Sequence, residues 1–270
     1  MACSQSLGIA YTSSALDDSQ RQFDIYYPTD TAVDARPLIV FVHGGAWRAE
    51  DKRDHASLAR SILTATGCAV AVPNYRLTPS GNVDPNLRHP VHAEDLLAFL
   101  HFILAWRNPQ YSFDPHKLVL IGHSCSAHML SSIFLDSQTP SLTPSMVLLS
   151  AVKGIVLSEG IFDLDTLVAR FPDYRRWFID GAFGPAEHYP EFSTLRYSPW
   201  PNAPIKWLLI HSKGDMLVDV PQTVAMYNHL KTLYPEGIDH DIDTVESDHD
   251  DVLRQDAYIQ MVKDFVVNFI

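Results

Sequence analysis

The chain has 270 residues and a formal net charge of −12, and 46% of its residues are hydrophobic. This length fits one large α/β domain better than two small domains. The acidic balance argues against nucleic acid as a partner, because phosphate backbones require patches of Lys and Arg.

Strands are predicted where β-branched and aromatic residues form short runs. They lie at residues 21–27, 38–42, 68–72, 117–122, 152–158, 206–210 and 240–245. Apolar residues at helical spacing predict helices at residues 54–66, 92–106, 125–135, 222–234 and 256–269. Strands that alternate with helices imply a mostly parallel sheet covered on both faces, with the active site at the carboxyl ends of the strands.

Two stretches interrupt this alternation. Residues 77–90 are rich in Pro, Gly and Asn, which predicts a loop. Residues 161–203 hold short helical pieces, prolines and several aromatic residues. We predict that this second stretch forms a small cap over the active site, within a single domain that spans residues 1–270.

The strongest local signal is Gly122-His123-Ser124-Cys125-Ser126, which follows a predicted strand and opens a predicted helix. This is the context of a nucleophile elbow, in which a serine occupies a strained turn and presents its hydroxyl above the sheet. Ser126 stands where the usual Gly-x-Ser-x-Gly pattern has its last glycine. Serine is small, so we expect the turn to survive with a tighter fit. The alternative is a serine in a strand-to-helix turn without chemistry.

A second signal, His43-Gly44-Gly45-Ala46-Trp47, directly follows the predicted strand at residues 38–42. In this position a Gly-Gly pair frees backbone amides to bind a developing oxyanion. A plain tight turn is the alternative, but the position ahead of the elbow favours the oxyanion role.

Asp215 and His249 complete a candidate catalytic triad with Ser124. Asp215 follows the predicted strand at 206–210, and His249 follows the one at 240–245. The chain order Ser, Asp, His is that of α/β-hydrolases. Asp215 would orient the imidazole, and His249 would take the proton from Ser124.

Other residues compete for these two roles. Asp219 has the setting of a helix start, and His240 precedes its predicted strand rather than following it. His211 comes too early for the order of acid and then base, and His123 beside the nucleophile is more typical of a packing residue.

Residues 239–251 are rich in Asp and His, which raises the question of a metal. The stretch has neither His-Glu-x-x-His nor Cys-x-x-Cys spacing, and strand alternation explains Asp239, Asp241 and Asp243 as a solvated face. We predict neither a metal nor a cofactor.

Several motifs together resemble the kynurenine formamidases (arylformamidases) of fungal type, a family of α/β-hydrolases. Beside the two motifs above, the similar segments are Asn74-Tyr75-Arg76-Leu77, Gly160-Ile161-Phe162-Asp163-Leu164, Phe171-Pro172-Asp173-Tyr174 and Ser247-Asp248-His249-Asp250-Asp251-Val252. The resemblance spans residues 22–270. The elbow and the His-Gly-Gly motif also occur in many esterases and lipases, whereas Trp47 and the matches in the predicted cap are more specific.

The resemblance implies an α/β-hydrolase fold and the hydrolysis of N-formyl-L-kynurenine to formate and L-kynurenine in tryptophan breakdown. It carries over Ser124, Asp215 and His249 as the triad. It implies that the oxyanion hole consists of the backbone amides of Gly44, Gly45 and Cys125. Ser126 departs from the family's glycine, which bears on the geometry of the turn more than on the class of reaction.

The leaving group of this reaction is aromatic and calls for an apolar wall. Trp47, Phe162, Trp177 and Phe183 are the candidates for that wall, and packing in the core or the cap is the alternative for each. The predicted partner is a small-molecule substrate, with neither nucleic acid nor a membrane, and a homodimer is a possible assembly.

The predicted location is cytoplasmic. Cys3, Cys68 and Cys125 are too few and too far apart for a disulfide framework, which favours a reducing compartment. Residues 1–16 lack the pattern of a signal peptide, and no apolar run has the length of a membrane span.

Two competing interpretations remain from the sequence. A small-molecule carboxylesterase would share the triad and the oxyanion hole and differ only in its pocket. A catalytically silent binding module on the same fold commonly lacks a triad member, whereas Ser124, Asp215 and His249 are all present here.

Overall fold

The computed structural model describes residues 2–13, 18–29, 36–79, 84–107 and 110–270. Its strands are β1 (Cys3–Ala10), β2 (Gln22–Pro28), β3 (Pro37–Val42), β4 (Ala69–Pro73), β5 (Asp114–His123), β6 (Leu135–Asp136), β7 (Val152–Ser158), β8 (Ser198–Pro199), β9 (Lys206–Ile210) and β10 (Ile238–Asp241). Its α-helices are α1 (Ala56–Thr66), α2 (Val91–Ala105), α3 (Cys125–Phe134), α4 (Met146–Ala151), α5 (Leu164–Arg170), α6 (Asp180–Phe183), α7 (Val220–Leu233) and α8 (Asp256–Val267).

Within the described residues, eight strands form one sheet in the order β1-β2-β4-β3-β5-β7-β9-β10. The pairs β1–β2 and β2–β4 are antiparallel. The remaining pairs of this sheet, along the order β4-β3-β5-β7-β9-β10, are parallel. The α/β-hydrolase fold and its mostly parallel sheet are thus confirmed.

Two apolar cores cover the two faces of the sheet. Along β3, Leu38, Val40 and Val42 belong to one core, and Ile39 and Phe41 belong to the other. Helices α2, α3 and α7 pack on the first face, and α1 and α8 pack on the second. Because both faces are buried, the central strands read as continuous apolar runs, as the sequence indicated.

Some elements differ from the sequence predictions. The sequence did not reveal β1, since this edge strand mixes apolar and polar residues and none of its residues is buried, nor the short elements α4 and β6. The strand predicted at 240–245 is β10 (Ile238–Asp241), because the Asp241 carboxylate accepts the amides of Asp243 and Thr244 at 3.1 and 2.9 Å and turns the chain there. The loop predicted at 77–90 lies partly outside the described residues and contains a 3₁₀ turn, Pro85–Leu87.

The segment 161–203 contains short elements between β7 and β9. These are α5, a π-helix at Arg175–Ile179, α6, two 3₁₀ turns at Pro190–Phe192 and Thr194–Arg196, and β8. Gln222 on α7 holds the start of the segment, since its Oε1 accepts the amides of Phe162 and Asp163 at 2.8 Å each. Among the described residues, no helix has both the length and the apolar character of a membrane span.

Candidate active site

Ser124 lies at the sharp turn between β5 and α3, with its side chain almost buried. Its backbone has φ 58° and ψ −123°, a conformation that non-glycine residues rarely adopt. A Cβ added at Gly122 would lie 2.8 Å from the Leu130 side chain and 2.9 Å from the Ser126 carbonyl oxygen. Strand and helix therefore approach so closely that only glycine fits at this position, as a nucleophile elbow requires.

Ser126, which replaces the usual glycine, connects the elbow to β3. Its hydroxyl accepts the amide of His123 at 2.7 Å and lies 2.7 Å from the Val42 carbonyl oxygen, to which it donates. The side chain is fully buried, so these bonds satisfy the hydroxyl completely. The tighter fit expected from the sequence is thus accommodated by hydrogen bonds that glycine could not make.

The loop after β3 lies directly against the nucleophile, because a Cβ added at Gly44 would be 3.1 Å from Ser124 Cβ. Gly45 has φ +91°, and a Cβ there would lie 2.2 Å from the Ala49 carbonyl oxygen, so no other residue fits. The Tyr75 hydroxyl, from the loop after β4, lies 3.1 Å from the His43 carbonyl oxygen and 2.7 Å from that of Gly44.

Tyr75 thereby fixes the orientation of two peptide planes. In a trans peptide the carbonyl and the following N–H point in opposite directions. Carbonyls that face Tyr75 therefore turn the amides of Gly44 and Gly45 away from it. No local motif marks this role of Tyr75 in the sequence, although the residue follows a strand end like the other candidates.

Cys125 begins α3, and the first amides of a helix lack intrahelical acceptors. Its thiol is fully buried and accepts the Trp47 amide at 3.3 Å. Burial raises the pKa of the thiol to about 12, so the sulfur is chemically inert at neutral pH. The useful group of Cys125 at this site is its backbone amide.

Asp215 and His249 are paired. His249 Nδ1 lies 2.7 Å from Asp215 Oδ2, and the Asp215 side chain is fully buried. Asp215 Oδ1 accepts the amides of Leu217 and Val218 at 2.7 and 3.0 Å. Although burial disfavours the charged form, the hydrogen bond and charge of His249 hold the pKa of Asp215 well below its usual range. The pair therefore has an ionised acid that fixes the imidazole through Nδ1 and leaves Nε2 available.

The competing residues lie elsewhere or are engaged otherwise. Asp219 directly precedes α7, and His240 belongs to β10 and stacks on Tyr227 with 3.9 Å between ring centroids. His211 Nδ1 lies 2.7 Å from the Thr223 hydroxyl. Burial lowers the pKa of His123 to about 4, so this residue is a neutral packing residue beside the elbow.

Glu159, directly after β7, is a further buried acid, which no sequence motif marked. Its side chain is fully buried, and its Oε1 accepts the Ser212 amide at 2.8 Å. One carboxylate oxygen of Glu159, one of Asp215 and a ring nitrogen of His249 all lie within 4.8 Å of one another. Its position directly after a buried strand was the signal that could have revealed it.

A cavity of about 290 Å³ opens over Ser124 and His249. Its apolar wall consists of Ala46, Ile161, Tyr174, Trp177, Phe178, Leu217 and Val218. Gly45 also lines this cavity. The volume lies near the lower end of the range for small-molecule sites.

Of the four aromatic residues predicted as substrate wall, Trp177 lines this cavity and is 50% exposed. The other three lie in the core instead. Trp47 and Phe162 are fully buried, and Phe183 packs on Trp47 at 4.9 Å between ring centroids. The prediction of substrate contact is therefore corrected for Trp47, Phe162 and Phe183, because sequence alone does not reveal whether an aromatic ring faces the core or the cavity.

Charged groups occur at the rim of the cavity. Arg48 lies there and bonds the Trp177 carbonyl oxygen. Glu50 bonds His55 Nε2 at 2.9 Å, and Asp250 Oδ1 lies 3.4 Å from His123 Nε2. Glu50 and Asp250 also border a wider groove between α1 and α8, which lacks Ser124 and His249.

Among the residues that the structure describes, two groups of side chains have the spacing of a metal site: His123 with His249 and Asp250, and Glu159 with Asp215 and His249. Both include His249, so an ion in either group would compete with acid–base chemistry at that residue. Hydrogen bonds within the protein already engage Asp215 and Asp250.

Comparisons with known proteins identify the family and agree with the fold. The BD-FAE family model matches residues 23–230. The chain belongs to the BD-FAE family. Esterase B of Lactobacillus rhamnosis has the same fold as this BD-FAE member, with a TM-score of 0.78, 17% identity, and coverage of 99% of this chain and 85% of the other.

Sequence relatives include two fungal proteins. The kynurenine formamidase avaC of Aspergillus versicolor is 25% identical, over 93% of this chain and 96% of its own length. The kynurenine formamidase of Meyerozyma guilliermondii is 28% identical, over 72% of this chain and 71% of its own length. The resemblance to the kynurenine formamidases is thus confirmed, and this BD-FAE member is a hydrolase.

Proposed function

We propose that the protein hydrolyses N-formyl-L-kynurenine to L-kynurenine and formate through Ser124, His249 and Asp215. The observation that carries the proposal is the 2.7 Å bond between His249 Nδ1 and Asp215, with His249 and the strained Ser124 lining one small cavity. The kynurenine formamidases among the sequence relatives support the choice of substrate.

In the first half-reaction, the Ser124 hydroxyl attacks the formyl carbon while His249 Nε2 takes its proton. The carbonyl oxygen becomes an oxyanion, which the amides of Gly44, Gly45 and Cys125 stabilise. One such donor contributes roughly 3 kcal/mol to a transition state of this type. The imidazolium then protonates the aryl nitrogen, the C–N bond breaks, L-kynurenine departs and formyl-Ser124 remains.

In the second half-reaction, His249 takes a proton from water, and the resulting hydroxide attacks formyl-Ser124. Collapse of the tetrahedral intermediate returns the proton to the Ser124 oxygen and releases formate. Asp215 stays ionised throughout and stabilises the imidazolium in both halves. No metal or cofactor takes part in this scheme.

The apolar wall suits the aromatic ring of the leaving group. Tyr174, Trp177 and Phe178 come from the segment 161–203, which we propose acts as the cap of a single domain. All the groups that the reaction uses come from one chain, so the small-molecule substrate is the partner that the proposal requires. Three free cysteines support a cytoplasmic location as part of the proposal.

A small-molecule carboxylesterase is the second candidate, because the same triad and amides would act equally on an ester carbonyl. The test is hydrolysis of N-formyl-L-kynurenine beside p-nitrophenyl acetate, with Ser124→Ala as the control. We expect kcat/KM for the formamide to exceed that for the ester by about two orders of magnitude or more, since L-kynurenine is a larger leaving group than p-nitrophenolate and contacts more of the aromatic wall. Turnover of the ester alone would establish the carboxylesterase, and turnover of neither would favour the silent binding module.

A further inference from the structure

Glu159 and Asp215 form a pair of buried carboxyl groups behind the imidazole of His249. Both side chains are fully buried, and their oxygens lie within 4.8 Å of each other. Two negative charges this close in a buried site repel each other strongly unless a cation lies between them. Whether both carboxyl groups can be ionised therefore depends on whether a neighbouring group carries a compensating positive charge.

The ionisable groups around this pair are His211 from the loop after β9, His249, Tyr174 from the segment 161–203 and Tyr258 from α8. His211 Nε2 lies 3.2 Å from the Val218 carbonyl oxygen, which only accepts, so Nε2 carries a proton. Its Nδ1 is then free to accept the Thr223 hydroxyl, and burial lowers the pKa of His211. His211 is thus a neutral imidazole and does not balance a second negative charge.

The hydrogen bonds indicate which carboxyl holds the single proton. Asp215 accepts three donors, namely His249 Nδ1 and the amides of Leu217 and Val218. Glu159 accepts one, the Ser212 amide on Oε1. Its Oε2 is buried and accepts no hydrogen bond from the described residues, since the His211 Nε2 proton, although only 3.5 Å from Oε2, is engaged by the Val218 carbonyl oxygen. An ionised Oε2 without a hydrogen bond would raise the free energy of the folded state at this buried position. A protonated Oε2 instead donates a hydrogen bond toward Asp215.

We propose that Glu159 is a positioning residue that stays protonated, donates a hydrogen bond to Asp215 and so holds this carboxylate against His249. The proposal rests on the triad proposed above. Burial, with the hydrogen bond and charge of Asp215, raises the pKa of Glu159 to about 10, which agrees with a neutral group at physiological pH. The donated bond spreads part of the Asp215 charge away from His249 and lowers the basicity of the imidazole.

The test measures the rate at which a fluorophosphonate labels Ser124 across a range of pH, with the labelled peptide identified by mass spectrometry. The label requires the activated serine but not the natural substrate. Glu159→Gln keeps an N–H donor for Asp215 and an acceptor for Ser212. Glu159→Leu keeps the approximate volume and removes both.

We expect Glu159→Gln to label within about threefold of the wild-type rate, with the acid limb of the pH profile unmoved. We expect Glu159→Leu to label at least about tenfold more slowly, with the acid limb shifted to higher pH, because Asp215 without its donor stabilises the imidazolium more strongly. If Glu159 only filled space, neither variant would shift the pH profile, and Glu159→Gln and Glu159→Leu would label at similar rates.

Three results would overturn the proposal. The first is an acid limb in Glu159→Gln that moves down by about one pH unit, since this would show that a negative charge had been removed. The second is a Glu159→Leu protein with the wild-type rate and profile. The third is a wild-type protein whose Ser124 does not label. If Glu159→Leu fails to fold, as judged by circular dichroism, the Glu159→Gln profile still decides the protonation state.

The same experiment separates this proposal from the proposed substrate. A wild-type protein that labels as described but does not hydrolyse N-formyl-L-kynurenine would contradict the formamidase assignment and support the role of Glu159.

Discussion

At the scale of single residues, the site contains two carboxyl groups with the same chemistry and opposite protonation. Asp215 accepts three hydrogen bonds and is ionised, whereas burial beside Asp215 raises the pKa of Glu159 to about 10. Environments that push two acid pKa values apart are a recurrent way of assigning separate roles to like groups. Here one acid orients the base, and the other orients the first acid.

The raised pKa of Glu159 predicts a pH-dependent stability. Between its ordinary pKa of 4.5 and about 10, the folded state holds one proton more than the unfolded state. Stability from this group is therefore greatest below about pH 4.5 and is lost as pH rises, at about 1.4 kcal/mol per pH unit. Glu159→Gln removes this dependence, so its free energy of unfolding should increase relative to the wild type as pH rises.

Urea unfolding of both proteins between about pH 6 and about pH 9 measures this difference, and subtraction cancels the titration of other groups. A difference between the two proteins that stays constant across this range would mean that Glu159 is already ionised in the folded state.

The triad candidates could be derived from sequence at this scale because Ser124, Asp215 and His249 each follow a strand of the sheet. Glu159 and Tyr75 obey the same rule, but no local motif marks them, and their roles depend on contacts with distant segments. Whether each aromatic ring faces the core or the cavity could not be predicted from the sequence either. Trp47 lies in the turn after β3 and Trp177 in the π-helix at Arg175–Ile179, and no local pattern shows that the first is fully buried and the second half-exposed.

At the scale of elements, the segments that follow β3, β4 and β5 meet at the carboxyl ends of these strands. Ser126 ties the start of α3 to the end of β3 through the Val42 carbonyl. Tyr75, after β4, holds the loop after β3 through the His43 and Gly44 carbonyls. The proposed oxyanion hole thus depends on three consecutive strands of the sheet order, β4-β3-β5.

This arrangement predicts the effect of Tyr75→Phe. The ring keeps its stacking on His43, at 4.5 Å between ring centroids, but the hydroxyl that orients the two peptides is lost. We expect kcat to fall about tenfold with little change in KM, because oxyanion binding acts mainly in the transition state. Steady-state kinetics on the best substrate measure both constants.

Tyr11→Phe is the matched control, since Tyr11 is also buried and its hydroxyl donates to the Asn74 carbonyl at 2.9 Å, outside the oxyanion loop. It should leave kcat unchanged. Equal losses of kcat in Tyr75→Phe and Tyr11→Phe would show a general loss of stability instead of a specific effect on the oxyanion loop.

Most elements could be predicted from sequence where burial imposes a pattern. The buried stretches of the central strands β3, β5, β7 and β9 are mostly apolar because helices cover both faces. The edge strands were harder to predict, since β1 has no buried residue and β10 stops where Asp241 turns the chain. The short pieces of the segment 161–203 have no periodicity from which their boundaries could be read.

At the scale of the whole molecule, the proposed nucleophile, acid and base follow β5, β9 and β10 at the carboxyl ends of the sheet. The segment 161–203 supplies three aromatic side chains to the cavity beside them. In the proposed function, the residues after these strands carry out the hydrolysis, and the segment contributes to the choice of substrate. The proposal of N-formyl-L-kynurenine rests on this aromatic wall together with the sequence relatives.

The measurement that tests the central claim most directly is rapid acid quench of the protein during turnover of N-formyl-L-kynurenine, followed by mass spectrometry of the peptide that contains Ser124. The account predicts a formyl group on Ser124 in the wild type, with neither formylation nor L-kynurenine release in Ser124→Ala. Release of L-kynurenine by Ser124→Ala at the wild-type rate would contradict it, since the nucleophile would then lie elsewhere.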